Sequence, residues 1–131
     1  MRTLSTEERE LLALACAAAN NSYVPYSNLS CGAALLSSDR RRFTGAAIEI
    51  GSYGSSVCAP KVALLSALAQ GARQFCAVAI SGSGVDINYM CGDCRQSFTE
   101  FSPAIDVISD IQPDITMPLS ALLPNPFVLD H

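Results

Sequence analysis

The chain has 131 residues, half of them hydrophobic and 15% charged, with a formal net charge of −4. That length buries a sizeable core without covalent staples, and the acidic balance argues against a nucleic-acid partner, whose phosphates demand a basic surface. No stretch reaches the roughly 18 apolar residues that span a bilayer, and the N-terminus lacks a basic flank followed by an apolar core. A cytoplasmic protein with one domain over residues 1–131 and no membrane contact is expected.

In chain order, Ser5-Thr6-Glu7-Glu8 has the form of a capping box, with Ser5 as N-cap and Glu8 three residues on. It opens a helix whose apolar residues Leu11, Leu12, Leu14, Ala15 and Ala18 run on to Asn20-Asn21. Residues 23–28 form a turn-rich link from which Pro25 excludes helix. Residues 30–37 are short and apolar and read as a buried strand, with residues 42–50 as its hairpin partner. Arg40-Arg41-Arg42 lies between them as a solvated turn rather than a phosphate patch.

Residues 51–56 are a loop, and residues 58–70 a helix stopped by Gly71. A continuous apolar strand at 76–81 leads through a polar crossing loop at 82–90 into a helix from 91 to about 101, stopped by Pro103. A strand at 105–109 and a short helix at 118–123 complete the pattern. Helix, hairpin, helix, strand, helix, strand implies an α/β fold, a three-layer α/β/α sandwich around a mixed sheet.

Six cysteines without a secretory leader favour metal binding and free thiols over a disulfide framework. Cys91 and Cys94 are three apart at the start of one predicted helix, and Cys58 opens another. Together they place three thiolates around one tetrahedral metal, here Zn2+, and leave its fourth position to water or substrate. Helix N-termini favour thiolate, which suits metal binding. Lys61 and Arg95 stand beside the ligands as cations able to offset the surplus negative charge. Cys16, Cys31 and Cys76 sit in apolar runs that read as buried, and the sole histidine is His131.

The run from Cys91 to Gln96, the Cys58-Ala59 pair, Pro25-Tyr26-Ser27 followed by Gly32-Ala33-Ala34-Leu35, Ser52-Tyr53-Gly54, and Leu122-Leu123-Pro124 before Phe127 together resemble the small zinc-dependent cytidine deaminases and the similar blasticidin S deaminases. The resemblance implies a mixed five-stranded sheet, a homotetramer, and hydrolytic removal of an amine from a nucleoside-like substrate. It implies that a glutamate two residues after the first zinc cysteine moves the protons. Here that position is Pro60, which has no ionisable group and no backbone N–H.

The family's ribose-binding asparagine corresponds to Ala47, while the glutamate two residues on is kept as Glu49, and Leu29 stands where phenylalanine is usual. By resemblance Ala47, Glu49, Ala59, Tyr53 and Phe127 are substrate-binding positions, the last two reaching an adjacent subunit, and Glu49, Glu100 or Asp86 could stand in for the missing acid. The expected function is a zinc-dependent deaminase-like hydrolase whose substrate is not plain cytidine. The alternative is an inactive paralogue that keeps zinc and binds a nucleoside-like ligand or a partner subunit.

Overall fold

The structure, a computed structural model, describes residues 2–82 and 89–129. Its elements in chain order are helix α1 (Thr6–Ala18), strands β1 (Cys31–Ser37) and β2 (Arg42–Ala46), helix α2 (Ala59–Ala69), strand β3 (Phe75–Gly82), helix α3 (Gly92–Phe101), strands β4 (Asp106–Ser109) and β5 (Thr116–Pro118), and helix α4 (Leu119–Leu122). The strands form one mixed sheet in the order β2-β1-β3-β4-β5, in which only the β3–β4 pair is parallel.

Successive strand side chains point to opposite faces, and here the two sets build two cores. Ala33 and Leu35 of β1, Val78 and Ile80 of β3 and Val107 of β4 pack with Ala63, Leu64 and Ala67 of α2 and Cys94 and Phe98 of α3. Ala34 and Leu36 of β1, Ala77 and Ala79 of β3 and Ile108 of β4 pack instead with Leu11 and Ala15 of α1. Covering both faces explains why all seven residues of β1 are buried and why the strand reads as a continuous apolar run. The expected α/β/α sandwich is therefore present.

The helix ends follow their local chemistry. Ser5 Oγ accepts from Glu8 N at 3.2 Å and Glu8 Oε1 accepts from Ser5 N at 2.9 Å, completing the capping box. The buried Glu8 carboxylate also takes both Arg2 guanidinium nitrogens at 2.6 Å, which holds it below its ordinary pKa. α2 ends on Gly71 at φ +93°, with Gly71 N donating to Leu68 O and Ala72 N to Ala67 O, the paired bonds of a Schellman motif.

Three expectations are corrected. β2 ends at Ala46, and Ile48 forms isolated bridges with Tyr23 and Val57 instead of extending the hairpin to residue 50. β5 was not foreseen; three residues carry no readable alternation, and Pro118 is tolerated because β5 is an edge strand. Cys16 is exposed on α1, because the apolar stripe of that helix runs through Leu11, Ala15 and Ala18. Arg40 and Arg41 lie in the exposed connection between β1 and β2, as expected, and Arg42 opens β2; each arginine has an acidic partner, Glu7 for Arg40, Asp39 for Arg41 and Glu10 for Arg42. Asp86 and His131 lie outside the described residues.

Two glycines set how closely the helices lie on the sheet. A Cβ on Gly32 would stand 2.1 Å from Ala15 O, and one on Gly45 would stand 2.4 Å from Ala63 N and 2.6 Å from Ala59 O. The second contact seats the first turns of α2 directly on β2. Gly45→Ala is expected to destabilise the fold by about 1–3 kcal/mol through overpacking, seen as a lowered Tm in thermal unfolding. Gly92→Ala, where an added methyl meets nothing within 4 Å, is expected to leave Tm nearly unchanged.

Candidate metal centre

The first turns of α2 and α3 converge beside the start of β1. Cys58 is the N-cap of α2 and Cys91 the N-cap of α3, both in extended backbone and neither with a capping side-chain bond, and Cys94 lies in the first turn of α3. All three sulfurs lie within 4.8 Å of one another, with Cys58 Sγ and Cys91 Sγ 3.7 Å apart. A tetrahedral zinc with Zn–S bonds of about 2.3 Å separates its sulfurs by about 3.8 Å, which the Cys58–Cys91 pair matches, and Cys94 is close enough to complete the set. Among the described residues no other group of three cysteines, histidines or carboxylates converges in this way.

Electrostatics supports the same use. The hydrogen bond from Cys94 holds the Cys58 thiol down, at about 6, against the opposing effect of burial. That same bond, together with burial, pushes Cys94 well above the ordinary thiol value. The Cys58 thiolate is thus favoured at the expense of Cys94, the behaviour of a cluster whose protons a cation replaces. The free N–H groups and positive dipole ends of two helices face this negative charge.

The two cations that the sequence places beside the ligands are engaged elsewhere. Lys61 Nζ lies 2.8 Å from Asp93 Oδ2, which raises the lysine pKa and ties the first turn of α2 to that of α3. Arg95 Nε donates to Tyr89 O at 3.2 Å and Met90 O at 3.1 Å, and its NH1 to Leu122 O at 2.9 Å. Arg95 therefore pins the approach to α3, where Met90 adopts φ +72°, an uncommon conformation for a residue with a side chain.

A cavity of about 250 Å3 opens beside the sulfurs. Of the residues singled out from sequence, Ala47, Glu49, Ala59 and Pro60 line it together with the three cysteines and Leu29. Pro60 is buried in the first turn of α2. Glu49 Oε1 accepts from Tyr26 N and Ser27 N, each at 3.1 Å, and these bonds and the Ser27 hydroxyl hold its carboxyl below the usual range. Tyr53 is fully exposed and Phe127 is 69% exposed, and neither lines the cavity. Phe127 is held through its backbone, its N donating to Gln96 Oε1 at 3.1 Å and its O accepting from Gln96 Nε2 at 2.8 Å. Glu100 is exposed near the far end of α3, beyond two buried-face residues and away from the sulfurs.

The sequence reading missed Cys31, Ile48, Val57 and Met90 as lining residues. The period of β1 carried the signal for Cys31, which shares the face of Ala33 and Leu35. Burial pushes its thiol up to about 11, so it stays protonated and behaves as a small apolar group.

Residues 1–80 match the model of the cytidine and deoxycytidylate deaminase zinc-binding region. The chain is 36% identical to a cytidine deaminase of Halalkalibacterium halodurans over 127 residues, covering 95% of this chain and 96% of that protein. It is 34% identical to a cytidine deaminase of Mycobacterium tuberculosis over 113 residues, 86% of this chain and 84% of that one. The crystal structure of cytidine deaminase from Burkholderia pseudomallei superposes with a TM-score of 0.84 at 36% identity, covering 95% of this chain and all of that chain. Metal analysis is expected to give about one zinc per chain. Cys91→Ser should lose it, while Cys16→Ser and Cys76→Ser, which are outside the trio, should retain it.

Proposed function

The chain belongs to the cytidine and deoxycytidylate deaminase zinc-binding family, and on that premise we propose that it is a zinc-dependent, deaminase-type hydrolase acting on an amino-bearing heterocycle other than plain cytidine. The observation that carries the second half is the wall beside the sulfurs, where Pro60 stands in the first turn of α2 two residues after Cys58.

Zinc in such a site supplies Lewis acidity and activates a water for attack on the carbon bearing the amine. Cys58, Cys91 and Cys94 are the protein donors that hold it. Such hydrolysis also moves protons, to the ring and to the departing ammonia. Pro60 moves none. Glu49 is the cavity's one carboxylate among the described residues, and it is held ionised by two backbone amides and the Ser27 hydroxyl. Its role is to fix the 26–27 turn at the cavity lip. Proton delivery then falls to the substrate's own ionisable groups and to solvent.

The commitment of Glu49 also favours a second reading, a paralogue that keeps zinc and binds a ligand without turning it over. One variant separates the two. Wild type is expected to release little ammonia from cytidine, and Pro60→Glu to keep zinc and gain turnover by about 10²-fold or more, the usual worth of a general acid/base. Brisk cytidine turnover by the wild type would refute the exclusion of cytidine. A zinc-loaded but inert Pro60→Glu would favour the binding paralogue.

Homotetramer formation is part of this proposal. Ile50, Tyr53, Phe127, Val128 and Leu129 all leave large apolar surfaces exposed on the isolated chain, which association between chains would cover. Sedimentation at micromolar concentration is expected to show four chains. A monomer there would remove Tyr53 and Phe127 from any shared site.

A further inference from the structure

Arg95 meets the chain that enters α3 at three successive carbonyls. Its backbone N donates to Cys91 O at 3.0 Å, the first bond of the helix, and its Nε donates to Met90 O at 3.1 Å and to Tyr89 O at 3.2 Å. From the same guanidinium, NH1 donates to the O of Leu122, the last residue of α4, at 2.9 Å. The residue in the middle of this cradle is strained. Met90 has φ +72°, a left-handed conformation that costs a residue with a Cβ roughly tenfold in population. Its side chain is buried in the core that also holds Cys94 and Phe98. Cys91 follows directly, in extended backbone and with no capping bond from its side chain. A rotation of the backbone at Met90 therefore moves Cys91 against Cys58 on the other helix, whose sulfur lies 3.7 Å from its own.

We infer that Arg95 is a positioning residue for the metal, one that holds the carbonyls of Tyr89 and Met90, thereby keeps Met90 left-handed, and so keeps the Cys91 sulfur where the other two thiolates need it. This role rests on the three-thiolate zinc site and on no assumption about substrate or subunit number. Any field from the guanidinium charge is a separate contribution, and substitution tells the two apart. Without the Arg95 bonds Met90 relaxes toward negative φ, and the trio has to be reassembled when metal binds, at a cost in affinity. Glycine adopts positive φ without that penalty, so Met90→Gly removes most of the need for Arg95. Lysine keeps the charge but offers a single nitrogen where Arg95 uses two, and it cannot serve Leu122 O and the two loop carbonyls together.

The experiment measures zinc affinity of the full-length protein by competition with a chromophoric chelator. Thermal unfolding of each variant checks the fold, and the thiolate-to-metal absorption of Co2+-loaded protein reports on the arrangement of the sulfurs. Arg95→Ala and Arg95→Lys are each expected to weaken zinc binding by about 10–100-fold, the usual effect of losing a group that orients a metal ligand, and to alter the cobalt absorption. In a Met90→Gly background, where the lost methionine side chain is common to both arms of the cycle, the same Arg95 substitutions are expected to cost about threefold or less and to leave the cobalt absorption unchanged. Should Arg95→Ala fail to fold, Arg95→Lys in the two backgrounds completes the cycle.

Arg95→Lys protein that binds zinc as tightly as wild type would show that charge suffices, and would overturn the positioning role while leaving the zinc site standing. An equal loss in both Met90 backgrounds would overturn it too, since Arg95 would then act elsewhere than on this turn. Wild-type protein without affinity for zinc would refute the three-thiolate site itself, and this role for Arg95 with it.

Discussion

The close approach of α2 to β2 at Gly45 is the constraint on which the site depends. Because that residue has no Cβ, Ala59 O and Ala63 N lie against the strand at distances that any side chain would block. This seating fixes where the N-terminus of α2 ends, and therefore where Cys58 projects. The opposing helix is positioned by two different devices, the Lys61–Asp93 pair between the first turns of α2 and α3 and the Arg95 bonds to Tyr89, Met90 and Leu122. Three sulfurs converge because two helix ends are held from three directions.

Charge balance at this centre differs from what residue order alone indicates. Three thiolates on one zinc carry a net charge of −1, and Lys61 and Arg95 are the nearby cations by sequence. Lys61 is matched by Asp93, in a pair open enough to solvent to contribute little net field. Arg95 is turned toward backbone carbonyls and serves the loop geometry. The uncapped helix N-termini, whose N–H groups and dipoles are fixed by the fold, add to whatever positive field these side chains supply.

Much of this is legible in the amino-acid sequence, and the boundary of legibility has physical causes. The capping box at Ser5, the stop at Gly71 and the cysteine spacing are local signals, and each appears where local chemistry requires it. The layering also followed, because buried strands and an apolar helix stripe leave periodic traces. β5 left no trace, being three residues long. Cys16 misled because an alanine-rich helix carries small apolar residues on its exposed face too. Met90 became a lining residue through tertiary placement, by way of a positive φ, whereas the period of β1 did carry a signal for Cys31. The bonds of Glu49 to two amides 22 and 23 residues earlier in the chain were likewise invisible to spacing.

Pro60 is the point at which fold and chemistry part. The first turn of a helix tolerates proline, so α2 keeps its geometry and the trio its fit, while the ring of Pro60 gives the cavity an apolar wall. The central claim is a metal held by three thiolates alone, with the buried Cys31 remaining outside the coordination shell. X-ray absorption at the zinc edge of the purified protein tests it most directly. The account predicts three sulfur neighbours at about 2.3 Å and one lighter oxygen or nitrogen neighbour at about 2.0 Å. A shell of four sulfurs would contradict it, since Cys31 would then close the site and make the zinc structural.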